Sequence, residues 1–488
     1  MTFQNLEFAL FFPVCSVVYF LLPAVKENII RNVWLLLAGF FFYMYAGPVY
    51  GLILVFVALS AYIGGLFFEK DRSRVWIFLY VLILLLPLLI FKYLNFFLRN
   101  LNMVLTRTGG SSFNELNLIL PVGISFYTFA ALSYVLDVRK KKIKAERNPV
   151  HCMLFTAFFP TLLSGPIERA GHLIPQLKEK HEFDAERVKR GFLLMLWGYF
   201  LKMVLSDRIA VIVDTVFSQN GKYTGVYALT AMCLYSLQIY FDFMSYSDIA
   251  LGCGEIMGFD LINNFERPYF AGSIADFWRR WHISLTSFFR DYVYIPLGGN
   301  RKGKLRKYIN ILTVFALSGL WHGASWNFVF WGVLNGVYQI TGELLKPVRV
   351  RAGEFFGIRE GTFSTLFLRR GVTFILASFA WTFFRAESFK TALSMIRSAF
   401  EFNPWILFDG SMLKLGLTES DLVIVFVSIL TVLFASMINE RKMKVRDLIE
   451  GQDRWFRWVI YILSILAVLI LGRYGPLYDS ADFIYFRF

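Results

Sequence analysis

Charge is scarce in this chain. Of its 488 residues only 17% are Asp, Glu, Lys or Arg, where a soluble protein carries about a quarter. That shortage excludes a disordered chain, which needs low hydrophobicity and many charges, and a soluble enzyme of ordinary composition. Cysteine is equally sparse. Cys15, Cys152, Cys233 and Cys253 lie in or beside apolar segments with no CxxC pair, which gives neither a disulfide framework nor a zinc spacing. They read as small core residues, and no metal site is expected. There are 14 prolines and five histidines, no internal repeat and no low-complexity tract. The first basic residue is Lys26. A signal peptide starts with a basic region, so Phe8 to Ala24 reads as a retained first span.

What the chain has in abundance is apolar surface. It is 57% hydrophobic and holds 54 phenylalanines, with a mean hydropathy of +0.54. Each bilayer crossing takes about 20 apolar residues, so a polytopic, all-α membrane protein is expected. Apolar runs cover about 7–24, 32–47, 50–68, 75–98, 117–136, 191–217, 226–250, 371–385, 421–438 and 457–472. Two further runs are irregular. Residues 150–165 contain Pro160, Gly165 and Pro166 and read as a re-entrant segment. Residues 308–344 are interrupted at Gly319, Trp321, His322 and Gly323, and a broken helix at membrane depth has to line a cavity or pack inside protein. The polar insertions at about 166–190 and 253–307 are too short for domains of their own, so residues 1–488 read as one membrane body.

The basic excess is 50 Lys and Arg against 35 Asp and Glu, a net charge of +15. These residues fall in short runs between apolar stretches, where they set orientation, so no nucleic-acid partner is expected. The loop 137–148, DVRKKKIKAERN, carries six basic residues against two acidic and is assigned to the cytoplasm. Counting back over five spans puts the N-terminus outside. The stretch Glu69 to Arg74, with three basic residues, agrees. Counting forward puts 166–190, 253–307 and the basic stretch 440–457 in the cytoplasm.

Few residues are equipped for chemistry. His322 lies in SGLWHGASWNFVFWG (Ser318 to Gly332), inside an apolar run, where an ionisable side chain is costly and a functional candidate. Neutral imidazole can be buried and can take a proton near pH 7. Gly319 and Gly323 permit close approach of a substrate or another helix. A structural histidine bonded between helices fits the same residues. His282 lies in ADFWRRWHISLTSFFRDYVYIPLGGNR (Ala275 to Arg301). On one helix, Trp278, Trp281, Leu285, Phe288 and Tyr292 share a face and Arg279, Arg280, Ser287 and Arg290 lie largely opposite. That describes an amphipathic helix at the cytoplasmic boundary: an aromatic anchor, or one whose paired arginines Arg279 and Arg280 bind the phosphates of a soluble donor. In YFDFMSYSDIALGCGEIMGFDL (Tyr240 to Leu261), Asp242 and Asp248 are carboxylates that either orient a histidine or pair with a nearby arginine.

Several familiar patterns are absent. Gly298 to Lys304 reads GGNRKGK, yet Leu305 stands where a phosphate-binding loop needs Ser or Thr. His181-Glu182 lacks the second histidine of a zinc protease. No GxSxG elbow occurs. No histidine is followed five positions on by Asp: His322 leads to Asn327 and His282 to Ser287.

The order of the motifs resembles a known family. FFPTLLSGPIER (Phe158 to Arg169) precedes FDFMSYSDIA (Phe241 to Ala250). Then come RPYFAGSIADFWRRWHISLTSFFRDYVYIPLGG (Arg267 to Gly299), SGLWHG (Ser318 to Gly323) and a terminal FIYFRF (Phe483 to Phe488). This is similar to the membrane-bound O-acyltransferase (MBOAT) family, in its bacterial polysaccharide branch, over nearly the whole chain. Arg487 stands where relatives often have Gln. The resemblance implies about eleven membrane helices, with re-entrant and interfacial helices, around a central funnel. It implies His322 and His282 as the catalytic histidines. On the same reading Trp321 or Asn327 steadies an oxyanion, and Arg279 and Arg280 steer the donor. It further implies no bound cofactor, with acetyl-CoA or another thioester as substrate. The implied partners are an extracytoplasmic protein of the SGNH hydrolase fold and an exported polysaccharide, at the bacterial inner membrane. Transfer of D-alanine or another acyl group to teichoic acid or peptidoglycan remains open, as does a transporter or flippase with a histidine proton relay.

Overall fold

The computed structural model describes residues 1–45, 47–70, 73–219, 221–441, 443–475 and 483–484. Asp71 and Arg72 of the expected basic loop, and Arg487 of the terminal motif, lie outside the described residues. Among the described residues the regular structure is helical throughout, with no strand.

Apolar helices with dry exteriors are the main feature. Pro48–Phe68, Arg74–Arg107, Phe363–Arg385, Glu419–Glu440 and Arg454–Leu471 each have the length and composition to cross a bilayer, and Leu6–Leu21 is a shorter apolar helix. Glu419–Glu440 has a mean hydropathy of 2.5 with only 17% of its apolar window buried by protein, and Arg454–Leu471 has 1.8 with 6%. So much exposed apolar surface needs lipid to cover it, and the chain is a multi-pass membrane protein. Other apolar runs sit on shorter helices such as Ile29–Met44 and Ile124–Arg139. At 16 residues these reach about 24 Å, against a hydrocarbon slab of about 30 Å.

The chain folds as two compact units, Met1–Met195 with Tyr246–Ile262, and Leu196–Ser245 with Asn263–Phe488. In the first unit the run expected at 117–136 becomes helical only at Ile124. Gly123, at φ +75, starts the helix in a left-handed conformation, and Pro121 disfavours helix before it. The expected re-entrant segment 150–165 forms two short helices, Pro149–Ala157 and Phe159–Leu162, too short to cross. The segment after Met257 is tied back to the Ala170–Lys178 helix. Buried Glu168 accepts the Ile262 amide at 2.6 Å and holds His172 Nδ1 at 3.0 Å, while Gln176 exchanges two hydrogen bonds with the backbone of Asp260.

In the second unit the 308–344 run is a helical hairpin, Gly303–His322 and Trp326–Leu344. The chain turns at Gly323 to Ser325, immediately after the histidine. Glycine lets the two arms touch: a Cβ on Gly319 would run into the Phe328 carbonyl, and one on Gly332 into that of Phe315. Close backbone approach through small residues is how helices associate in lipid. The expected closeness at Gly319 is therefore that of another helix. Three arginines on separate segments, Arg267, Arg280 and Arg370, converge on Glu440 at the end of Glu419–Glu440, at 2.8, 3.1 and 3.6 Å. This places parts of the 253–307 and 440–457 stretches, both expected in the cytoplasm, on one face of the unit.

Two outcomes are expected. Gly319→Val forces the hairpin arms apart and costs about 1–3 kcal/mol, read as a lower thermal midpoint in detergent. The hydrogen bond from Glu168 raises the His172 pKa against the opposing effect of burial. Protonated His172 therefore stabilises the fold fully below its unfolded value of about 6.5, and the gain fades as pH rises through the higher folded value. His172→Ala should remove that fall in stability as pH rises above about 6.5, read as a thermal midpoint followed against pH.

Candidate active site

The expected single amphipathic helix over 275–301 is broken. Ile274–Arg280 is one short helix, with Ser273 accepting the Asp276 amide at its start and Arg279 and Arg280 in its last turn, where they complement the helix dipole. Ile283–Phe289 is a second helix, running on into a wider turn at Arg290–Tyr294. Between them His282 takes a left-handed conformation, φ +44 and ψ +56, which a non-glycine residue adopts only where its surroundings enforce it. Residues 264–266 do so. Glu266 N donates to Arg280 O at 2.9 Å and Ile283 N to Asn264 O at 3.0 Å, replacing helical bonds with a short backbone pairing. The Asn264 side chain accepts from Ser284 Oγ at 2.7 Å and lies 3.4 Å from His282 Nδ1. With Asn264 Oδ1 as the acceptor, that contact assigns the proton to Nδ1 and the lone pair to Nε2. The aromatic face read from the sequence survives the break: Trp278, Trp281, Leu285 and Phe288 are all buried.

His322 is the last residue of its helix rather than a mid-helix residue. The negative end of the helix dipole therefore faces any positive charge that develops on its ring. Its ring centroid lies 6.3 Å from that of His282. Aromatic rings enclose the pair. Trp321 is 4.8 Å from His322 and 5.8 Å from His282; Trp331 meets His322 edge-on at 5.1 Å and Phe384 does so at 5.4 Å. Trp331 stacks on Trp381 at 5.2 Å, and Trp381 lies 5.0 Å from Trp281. Edge-on and offset contacts of this kind are the favoured aromatic geometries. Trp278 Nε1 donates to Asn335 Oδ1, and Asn327 Nδ2 donates to Ala386 O. These bonds lock the hairpin to its neighbours and commit one donor of Asn327 to the backbone. His322 is 2% exposed. The ring is thus buried in protein, and the open funnel expected to reach it is not seen at its edge.

The two aspartates separate. Among the described residues Asp242 is held by Lys202 and the Ile484 amide rather than by a histidine or an arginine. Its Oδ1 lies 2.7 Å from Lys202 Nζ, which also lies 2.9 Å from Asp207 Oδ1, and all three residues are buried. Lys202 sits in a widened turn, Phe200–Ser206, of the sort that concentrates at functional sites. Asp248 belongs to the first unit. It is buried, and its Oδ2 has no hydrogen-bond partner among the described residues. The arginines differ too. The Arg279 side chain is 74% exposed beside Asp276, while Arg280 is held by Asp276 and Glu440.

Asn264, the Trp331–Trp381–Phe384 wall and the Lys202–Asp207 pair were not singled out from the sequence. Lys202 carried a usable signal, as a charge inside the apolar run 191–217. Asn264 carried none, since its role depends on a pairing 18 residues away.

The helices of the second unit thus enclose a histidine pair in aromatic walls inside a membrane protein. The sequence profile of the membrane-bound O-acyltransferase family matches residues 133–353, which include both histidines. A protein described as a probable alginate O-acetylase of Pseudomonas aeruginosa is 34% identical over 430 residues, 87% of this chain and 79% of its own. The peptidoglycan O-acetyltransferase of Helicobacter pylori is 34% identical over 419 residues, 79% of this chain and 77% of its own. The teichoic acid D-alanyltransferase of Bacillus subtilis is 32% identical over 238 residues, 45% of this chain and 58% of its own. The chain belongs to the membrane-bound O-acyltransferase family and is an O-acyltransferase. The transporter reading is set aside.

Proposed function

We propose that the protein moves an acetyl group from a cytoplasmic thioester, acetyl-CoA, to O-acetylate an extracytoplasmic polysaccharide, with His322 as the reacting base. The observation that carries this is the buried imidazole pair, 6.3 Å apart, at the turn of a hairpin inside an apolar body. An ionisable pair in such surroundings is expensive unless used. The identity to acetyl-transferring relatives over most of the chain supports acetyl as the group.

The chemistry follows from the ring's position. An imidazole nitrogen of His322 takes the proton of an acceptor hydroxyl. The hydroxyl oxygen attacks the thioester carbonyl, and the tetrahedral oxyanion collapses to expel the thiolate. The thiolate recovers the proton from the imidazolium, so charge and atoms balance. His282, with its lone pair on Nε2, and Trp321 line the same space and are proposed to steady the reacting groups. Asn327 is the amide available for the oxyanion, and one such donor is worth about 10²–10³ in rate. At 2% exposure the ring is reached only when side chains around it shift, and exclusion of water then strengthens every polar contact inside. The alternative of an acyl-histidine intermediate uses the same ring.

Arg279, exposed on the face that also carries Arg267, Arg280 and Glu440, is proposed to attract the phosphates of the donor. Arg280, already held by two carboxylates, contributes field rather than direct contact. That face is placed in the cytoplasm of a bacterial inner membrane, with the N-terminus outside. An SGNH-fold partner on the far side is proposed to pass acetyl to the polymer. The H. pylori relative favours peptidoglycan as a second candidate polymer. The D-alanyl reading rests on likenesses that cover 45% and 57% of this chain.

His322→Ala at normal protein level is expected to abolish polymer acetylation in cells, and His282→Ala to reduce it; full acetylation in the first variant removes the proposal. Arg279→Glu with Arg280→Glu is expected to raise the KM for the thioester, most strongly at low salt. A KM that ignores both charge reversal and ionic strength leaves these arginines as anchors only.

A further inference from the structure

The buried Lys202–Asp207–Asp242 triad lies outside the reacting centre, yet one of its carboxylates does something the triad's own charges do not require. A single carboxylate would neutralise Lys202. Two are present, and the second oxygen of Asp242 accepts the backbone amide of Ile484 at 2.8 Å, 242 residues further on. Phe483 and Ile484 are both buried, at 1% and 6% exposure. Earlier on the chain, Arg473 N donates to Met203 O at 2.9 Å, and Met203 is the neighbour of Lys202 in sequence.

The next residue along from Asp242 links this fastening to the histidines. Phe243 packs against Phe483 at 6.1 Å on one contact and against the His282 ring, edge-on at 4.6 Å and 87°, on another. His282 is in turn 6.3 Å from His322. Phe265 also braces Phe243, at 5.0 Å, so the terminal pair is one of two supports. Asp242 grips the backbone of the terminal pair while the adjoining Phe243 meets its side chain.

Resting on the reading of the histidine pair as the reacting centre, we propose that Phe483–Ile484, clasped by Asp242, is a positioning element for the His282 imidazole and acts through the Phe243 ring. Phe483 and Ile484 are thus part of the wall of the site, and Asp242 and Lys202 are positioning residues. Lys202 Nζ holds one oxygen of Asp242 at 2.7 Å while the other oxygen accepts the Ile484 amide.

The test uses full-length protein in detergent, with Phe483→Ala, Phe483→Leu and Asp242→Asn. Each histidine's rate of modification by diethyl pyrocarbonate is followed peptide by peptide, with His172 as internal standard. The rate at His282 relative to His172 is expected to rise several-fold in Phe483→Ala and Asp242→Asn and to return towards wild type in Phe483→Leu. The kcat for acyl transfer is expected to fall by about 10- to 100-fold, the scale of a displacement of up to about 1 Å, with the donor KM unchanged. Asp242→Asn disturbs a buried ion pair and can fail to fold; Phe483→Ala removes only a ring and carries the test alone. Wild-type labelling and kcat in folded Phe483→Ala would overturn the clasp and leave the transfer reading standing. Shifted labelling in a protein whose wild type transfers no acyl group would instead sink the transfer reading and leave the clasp in place.

Discussion

The backbone break at His282 is the constraint on which the site depends. A continuous helix through Ala275–Arg301 would carry His282 along with its neighbours and could not place it beside His322. The left-handed turn, enforced by the pairing of 264–266 with 280–283, delivers the ring sideways to within 6.3 Å of the other imidazole. An interior without water leaves no slack in such a turn, because each displaced backbone group must find another partner on the spot. Asn264 satisfies both the backbone and the ring with one residue.

Glycine and tryptophan divide the remaining work. Glycines at 319 and 332 let the hairpin arms meet backbone to backbone, so the turn at 323–325 is tight and His322 ends a helix. Large rings then fill the space beyond the hairpin. Trp281, Trp331 and Trp381 are each at most 1% exposed, and in contact they form a stiff wall with few rotamers to lose. A site for acyl transfer needs that stiffness, since a tetrahedral oxyanion is stabilised only by groups already in place.

Much of this was legible along the chain, and particular residues show where legibility stopped. Ser318 to Gly323 marks the histidine-bearing hairpin because an imidazole in an apolar run is anomalous by itself. The aromatic face of Trp278, Trp281, Leu285 and Phe288 was also readable, since burial follows periodicity even across a break. The break was not readable, because nothing local in RRWHISL disfavours helix; the segment at 264–266 imposes it. Asp242 read as a carboxylate in search of a histidine or an arginine, and its partner proved to be Lys202, 40 residues upstream, and the Ile484 amide. Arg280 read as part of an anchor or as a donor contact, and its ion pair with Glu440 on a distant helix was not readable.

By itself the amino-acid order determined that this is a helical membrane protein, that its basic loops fall between spans, and that His322 and His282 are the residues to watch. Those conclusions sum local quantities, hydropathy and charge over tens of residues, which the chain carries wherever it goes. Only the tertiary structure decided which charge neutralises which, where a helix breaks, and which rings wall the histidines. Those outcomes depend on groups far apart in the chain meeting where no water can substitute for a missing partner, and no local sum contains that information.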